Sequence, residues 1–138
     1  MPTAKVSEKI AADADAVFAI LGDFAGIDGP AIENKVIEGE GLGMTRTLTI
    51  GGGTVVERMD NHDPASRTLT YSIQNDDCPL PFAGYVATLK VTPTADQACQ
   101  VDWFGNFRAK GVPDADAIEI AKGIYLGMIK AVQKQLLG

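Results

Sequence analysis

Polar and apolar residues alternate with a period of two through most of the middle of this chain. In residues 44–50, MTRTLTI, Thr45, Thr47 and Thr49 take one face, while Met44, Arg46, Leu48 and Ile50 take the other. Residues 67–73 set Leu69, Tyr71 and Ile73 against Thr68, Thr70 and Ser72. Residues 83–91 group Ala83, Tyr85, Ala87, Leu89 and Val91, and residues 99–107 group Cys99, Val101, Trp103, Gly105 and Phe107. Successive strand side chains point to opposite faces, so each run predicts a strand with one buried side. Turn residues between the runs predict an antiparallel meander. Residues 3–10 and 35–38 alternate more weakly and are read as further strands. Asp13 is placed to cap a helix carrying Val17, Ile20, Leu21 and Phe24, and residues 22–30 are read as a break with a second short helix. From 115 to 137 the period changes: apolar residues at 117, 121, 124, 125, 128, 132 and 136 form a helical stripe. A helix of that span reaches roughly 35 Å, enough to cross the concave face of a twisted sheet. Gly123 and Gly127 on it are places where the helix either approaches the sheet closely or leaves room.

The run 54–60, TVVERMD, breaks the rule. Glu57 shares a face with Val55 and Met59, the more apolar side, whereas Arg58 points outward. A two-residue turn at Gly51 and Gly52 pairs Ile50 with Gly53, Leu48 with Val55 and Arg46 with Glu57. Both charges then fall on the apolar face with Cβ atoms roughly 5 Å apart. A three-residue loop would match Arg46 with Arg58 and misalign the apolar sets, which disfavours it. Arg46 and Glu57 either form a buried pair that fixes register or line a cavity between sheet and helix. Tyr71, Tyr85 and Trp103 bring further polar tips to the same face, where buried tyrosine and tryptophan find hydrogen-bond partners.

Composition narrows the class. With 138 residues the expectation is a single domain, 1–138, able to bury a core without staples. A net charge of −6 argues against nucleic acid or an anionic membrane surface as the main partner. Cys78 and Cys99 form no C-x-x-C, and a lone His62, read as a surface turn residue, leaves no metal cluster. Cys99 reads as a small core residue. The triple glycine 51–53 lacks the lysine and following helix of a phosphate loop, so no cofactor is expected. MPTAKVSEKI holds no apolar stretch of a secretory signal, and no run is long enough to span a membrane. The expected location is cytoplasmic, with free thiols.

The order strand, helix, meander, long helix resembles the START-like helix-grip superfamily (SRPBCC), in particular its polyketide cyclase/dehydrase and lipid-transport branch. The resemblance covers nearly the whole chain. It rests on Val17, Phe18, Leu21, Asp23 and Phe24 of the first helix, and on Gly41, Gly43 and Arg46. Glu57, Arg58, Met59 and Asp63 continue it, followed by Leu69–Tyr71 and Ile73, by Leu80, Pro81 and Tyr85, and by Val101, Trp103 and Phe107. The resemblance implies an α+β fold: a seven-stranded antiparallel sheet gripping the C-terminal helix, with short helices after the first strand and a hydrophobic cavity inside. It also implies that Glu57, Tyr71 and Tyr85 line that cavity. The related plant hormone receptors carry a pocket lysine near the place held here by Glu33 or Asn34, a departure that removes the partner for the same acidic ligand.

The leading expectation is therefore binding or transport of a small hydrophobic molecule, such as a lipid or polyketide. Leu48, Ile50, Val55, Met59, Tyr71, Tyr85, Trp103, Ile124 and Met128 would supply the walls, with Arg46 and Glu57 orienting a polar end. The competing expectation is a cyclase or dehydratase in which Glu57 is general acid or base and Tyr71 or Tyr85 orients a carbonyl. An interaction module with a collapsed cavity is a third.

Overall fold

The computed structural model describes residues 2–29 and 31–138. Strand β1 (Thr3–Ile10) is followed by helix α1 (Ala14–Leu21), then by β2 (Asn34–Glu38), β3 (Thr45–Ile50) and β4 (Gly53–Asp63). After these come β5 (Thr68–Ile73), β6 (Phe82–Ala95), β7 (Ala98–Ala109) and helix α2 (Asp114–Leu137). All the pairings are antiparallel, and the seven strands run β1-β7-β6-β5-β4-β3-β2 across the sheet. The meander from β2 to β7 is a series of neighbours in sequence, and β1 closes the sheet beside β7. The α+β helix-grip architecture expected from the sequence is present.

Local chemistry explains the joints. The Asp13 carboxylate caps α1, its Oδ2 accepting from the amides of Asp15 at 3.1 Å and Ala16 at 3.2 Å. Such a cap contributes about 1 kcal/mol. Gly51 and Gly52 turn the β3–β4 hairpin with φ of +57° and +81°, the left-handed pair a tight hairpin requires. The register that results is the one the charges predict: Arg46 opposite Glu57, Leu48 opposite Val55, Ile50 opposite Gly53. At the start of α2, Asp114 and Asp116 sit in the first turn and Lys134 in the last, all favourable to the helix dipole.

Helix α2 packs against β1, β7 and α1, burying Ala117, Ala121, Tyr125, Ile129 and Val132. It covers one half of the concave sheet face and stands away from β3, β4 and β5. That offset positions the site. No helix among the described residues is long and apolar enough to cross a membrane.

Three expectations change here, and one pairing adds an irregularity. Residues 22–29 form turns and bends instead of a second short helix, so α1 is the one helix described between β1 and β2. The segment is fixed by Asp23, whose Oδ1 accepts from the Gly26 amide, and by Lys35, whose Nζ donates to the Ile27 carbonyl. His62 lies on β4, not in a turn, with its ring stacked on Phe18 at 5.6 Å. On β6 the register shifts between Ala83 and Val86 at Gly84, whose φ is +62°. The bulge puts Phe82, rather than Ala83, on the buried side with Tyr85. The β4–β5 pairing also slips between Met59 and Asn61, which carries the strand past the end of its alternation.

Candidate functional site

Arg46 and Glu57 meet on the inner face as the hairpin register dictates. Arg46 Nε donates to Glu57 Oε1 at 2.7 Å, and Arg46 Nη1 donates to the Phe24 carbonyl at 2.9 Å. Both residues are buried, 4% and 7% exposed. The guanidinium lies between two aromatic faces, 4.1 Å from the Phe24 ring centre and 5.1 Å from that of Tyr71. A desolvated cation held this way gains on the order of 1–2 kcal/mol from the rings. Among the described residues no hydrogen bond reaches Glu57 Oε2. Among the described residues no fully enclosed side-chain nitrogen or oxygen lacks a partner, so Oε2, like Arg46 Nη2, keeps some accessible surface.

Beyond the pair lies a group of aromatic hydroxyls. Trp103 Nε1 donates to the Tyr71 hydroxyl at 3.2 Å, while the Tyr85 and Tyr125 hydroxyls share a short hydrogen bond. Gly105 on β7 makes that bond possible. A Cβ there would sit 2.2 Å from the Tyr125 hydroxyl oxygen and 3.2 Å from the Tyr85 ring. Burial, with the Glu57 carboxylate next in size, raises the Tyr71 hydroxyl far above the usual phenol range. Burial also raises Tyr85, with Tyr71 and Tyr125 adding to it, and pushes Tyr125 up to about 12. All three phenols therefore stay protonated at neutral pH and act as neutral donors and acceptors.

These groups line a cavity of about 360 Å³ between the sheet and α2. At roughly 30 Å³ per water in the liquid, that is space for about a dozen water molecules. Leu48 and Ile50 of β3, Val55 of β4, Ile73 of β5 and Phe82 of β6 form the floor, with Trp103 of β7 behind. Ile124, Met128 and Ala131 of α2 form the roof, and Ile27, Ala31 and Ile32 form one rim. Leu80, in the loop before β6, closes another side. That loop is anchored by Lys110, whose Nζ donates to the carbonyls of Asp76 at 2.8 Å and Cys78 at 2.9 Å. Gly123 and Gly127 also face the cavity, and a Cβ at either would meet nothing within 4 Å. Of the two readings of these glycines, the structure shows the second: they leave room. Ile124, which lines the cavity, is itself 39% exposed.

The structure brings Arg46, Leu48, Ile50, Val55, Glu57, Tyr71, Tyr85, Trp103, Ile124 and Met128 around this one space. It does not bring Met59 there. Met59 lies one pleat beyond Glu57, on the far side of the Arg46–Phe24 stack, and lines a separate open groove with Phe18, Phe24, Met44 and His62. The shared face was correct, but the arginine and Phe24 divide it. Sequence reading missed Ile27, Ala31, Ile32, Leu80 and Phe82, which come from loops and a bulge without alternation. Tyr125 was legible only as part of a stripe, although a large phenol and a glycine on facing elements signal one another. Among the described residues, no three His, Cys, Asp or Glu side chains converge on a point that could hold a metal. Cys78 and Cys99 are buried free thiols, with Cys99 packed in the core.

The sequence matches the family described as polyketide cyclase/dehydrase and lipid transport over residues 1–136. No curated protein matches it. Among solved structures it is similar to the protein XoxI from Bacillus cereus, at 29% identity and a TM-score of 0.87, over 99% of this chain and 96% of that one. An uncharacterised protein from Bacillus thuringiensis is similar at 29% identity and a TM-score of 0.86, over 99% of each chain. Norcoclaurine synthase from Thalictrum flavum, solved in complex with dopamine and hydroxybenzaldehyde, shares the fold at 19% identity and a TM-score of 0.76. That alignment covers 98% of this chain and 86% of the synthase.

Proposed function

The chain belongs to the polyketide cyclase/dehydrase and lipid-transport family, and from that premise we propose that it binds and carries one small, largely apolar molecule between the sheet and α2. The observation that carries this reading is the cavity itself. Its volume of about 360 Å³ falls in the range of small-molecule sites, roughly 300–1,000 Å³. Its walls are aliphatic and aromatic, and its polar groups are few and converge near Arg46 and Glu57. A molecule entering gains from apolar surface removed from water, about 25 cal/mol per Å² before the costs of ordering it. Gly123 and Gly127 leave open space along α2 beside the cavity.

Native mass spectrometry tests this on protein purified without denaturation. The wild type is expected to carry a bound small molecule of one defined mass. Gly127→Trp, which sets a large ring into the space the glycine leaves beside the cavity, is expected to lose it while keeping a folded charge-state distribution. Identical adduct-free spectra for both proteins would remove the carrier reading.

One observation favours a second reading. The unengaged Glu57 oxygen, beside neutral phenols, is placed to take a proton from a bound carbonyl compound while Tyr71 or Tyr85 donates to the carbonyl. Glu57→Gln separates the two readings, since it abolishes turnover in an enzyme and leaves a carrier occupied.

A further inference from the structure

We infer that the molecule held here is uncharged and ends, at its inner pole, in a hydroxyl that donates to Glu57 and accepts from Tyr71. The class is a phenol, an enol or a hydroxyl-bearing lipid, rather than a free fatty acid or an amine. This rests on the proposed binding function and adds the chemistry of the polar end.

The charges around the cavity carry the argument. Among the described residues three charged side chains line it: Arg46, Glu57 and Asp28. Arg46 and Glu57 neutralise one another at 2.7 Å. The arginine is further committed to the Phe24 carbonyl and covered by the Phe24 and Tyr71 rings. Among the described residues no cation lining the cavity lacks a counter-charge, so a carboxylate ligand would set two anions against one cation and meet Glu57 Oε2 inside and exposed Asp28 at the rim. An ammonium would find one carboxylate oxygen, but the inner site would then hold two cations against one anion. Moving any ion into this space without a full partner is costly.

Besides Arg46 Nη2, what is left is a complementary acceptor and donor. Glu57 Oε2 is an acceptor with no donor among the described residues. Tyr71 accepts from Trp103, and the nearby Tyr85 hydroxyl acts on it as a further donor, so among the described residues its own proton is given no acceptor. Both side chains are more than nine-tenths buried and line the same cavity. A single hydroxyl has one proton to give and lone pairs to receive one, so it satisfies both. A site whose polar groups are left unpaired by the wrong ligand discriminates against it strongly.

Isothermal titration at neutral pH with 2-naphthol, 2-methylnaphthalene, 2-naphthoate and 2-naphthylmethylammonium tests the inference on the wild-type protein. 2-Naphthol is expected to bind at least about tenfold more tightly than any of the other three. Tyr71→Phe should bring 2-naphthol down towards 2-methylnaphthalene, and Glu57→Gln should relax the discrimination against 2-naphthoate. Naphthoate or the ammonium binding as tightly as the naphthol would overturn the inference and leave the carrier reading standing. Binding of none of the four would overturn both. The wild-type series decides even if a variant fails to fold.

Discussion

Arg46 and Glu57 face each other because a two-glycine turn fixes the register and the period of two does the rest. Such a pair contributes little net stability, yet breaking it is expensive, because the surviving charge stays buried. Arg46→Met is therefore expected to lower the unfolding free energy by about 3–5 kcal/mol. Arg46→Met combined with Glu57→Leu should recover most of that loss, as read from urea midpoints at constant slope. At this scale the sequence was informative, since an inward carboxylate and an arginine set directly opposite it by a two-glycine hairpin are visible in the letters. The Phe24 carbonyl that takes the second arginine bond was not, because it belongs to an irregular segment with no period to follow.

The strands were legible wherever one face is buried and the other wet, as in β3, β5 and β7. Legibility failed where that asymmetry fails. The last residues of β6, through Ala95, are exposed on both faces and carry no alternation, yet pairing with β7 holds them in the sheet. The bulge at Gly84 exchanges Phe82 for Ala83 through backbone geometry alone. Helix α2 shows a related effect: Ile124 and Met128 continue the apolar stripe but face the cavity, while Ile129 packs in the core. Gly105 belongs to this scale because it lets Tyr125 of α2 reach Tyr85 of β6 across β7. Gly105→Ala is expected to cost about 1–3 kcal/mol through overpacking against the Tyr125 hydroxyl. Tyr125→Phe alone should cost about 1 kcal/mol for the lost hydrogen bond, and in the double variant it should relieve most of the alanine's effect. Thermal unfolding of the four proteins reads this cycle.

The whole molecule is a sheet only half covered by its helix. Because α2 leans on β1 and β7, the β3–β5 half of the concave face keeps its apolar side chains without a packed partner. The order of elements reveals that a long helix crosses the sheet, but not how far it stands off. That distance depends on Gly123, Gly127 and the rim residues together. The outer groove at Met59 and His62 is a second apolar hollow, separated from the cavity by the Arg46–Phe24 stack. The proposed ligand sits under α2 and not in that groove. Methyl chemical-shift mapping during a titration with 2-naphthol distinguishes the two hollows. A ligand under α2 gives saturable shifts at Ile50, Val55, Leu80, Ile124 and Met128, with Met44 and Met59 unmoved. Shifts confined to Met44 and Met59, or none at saturating ligand, would rule that placement out.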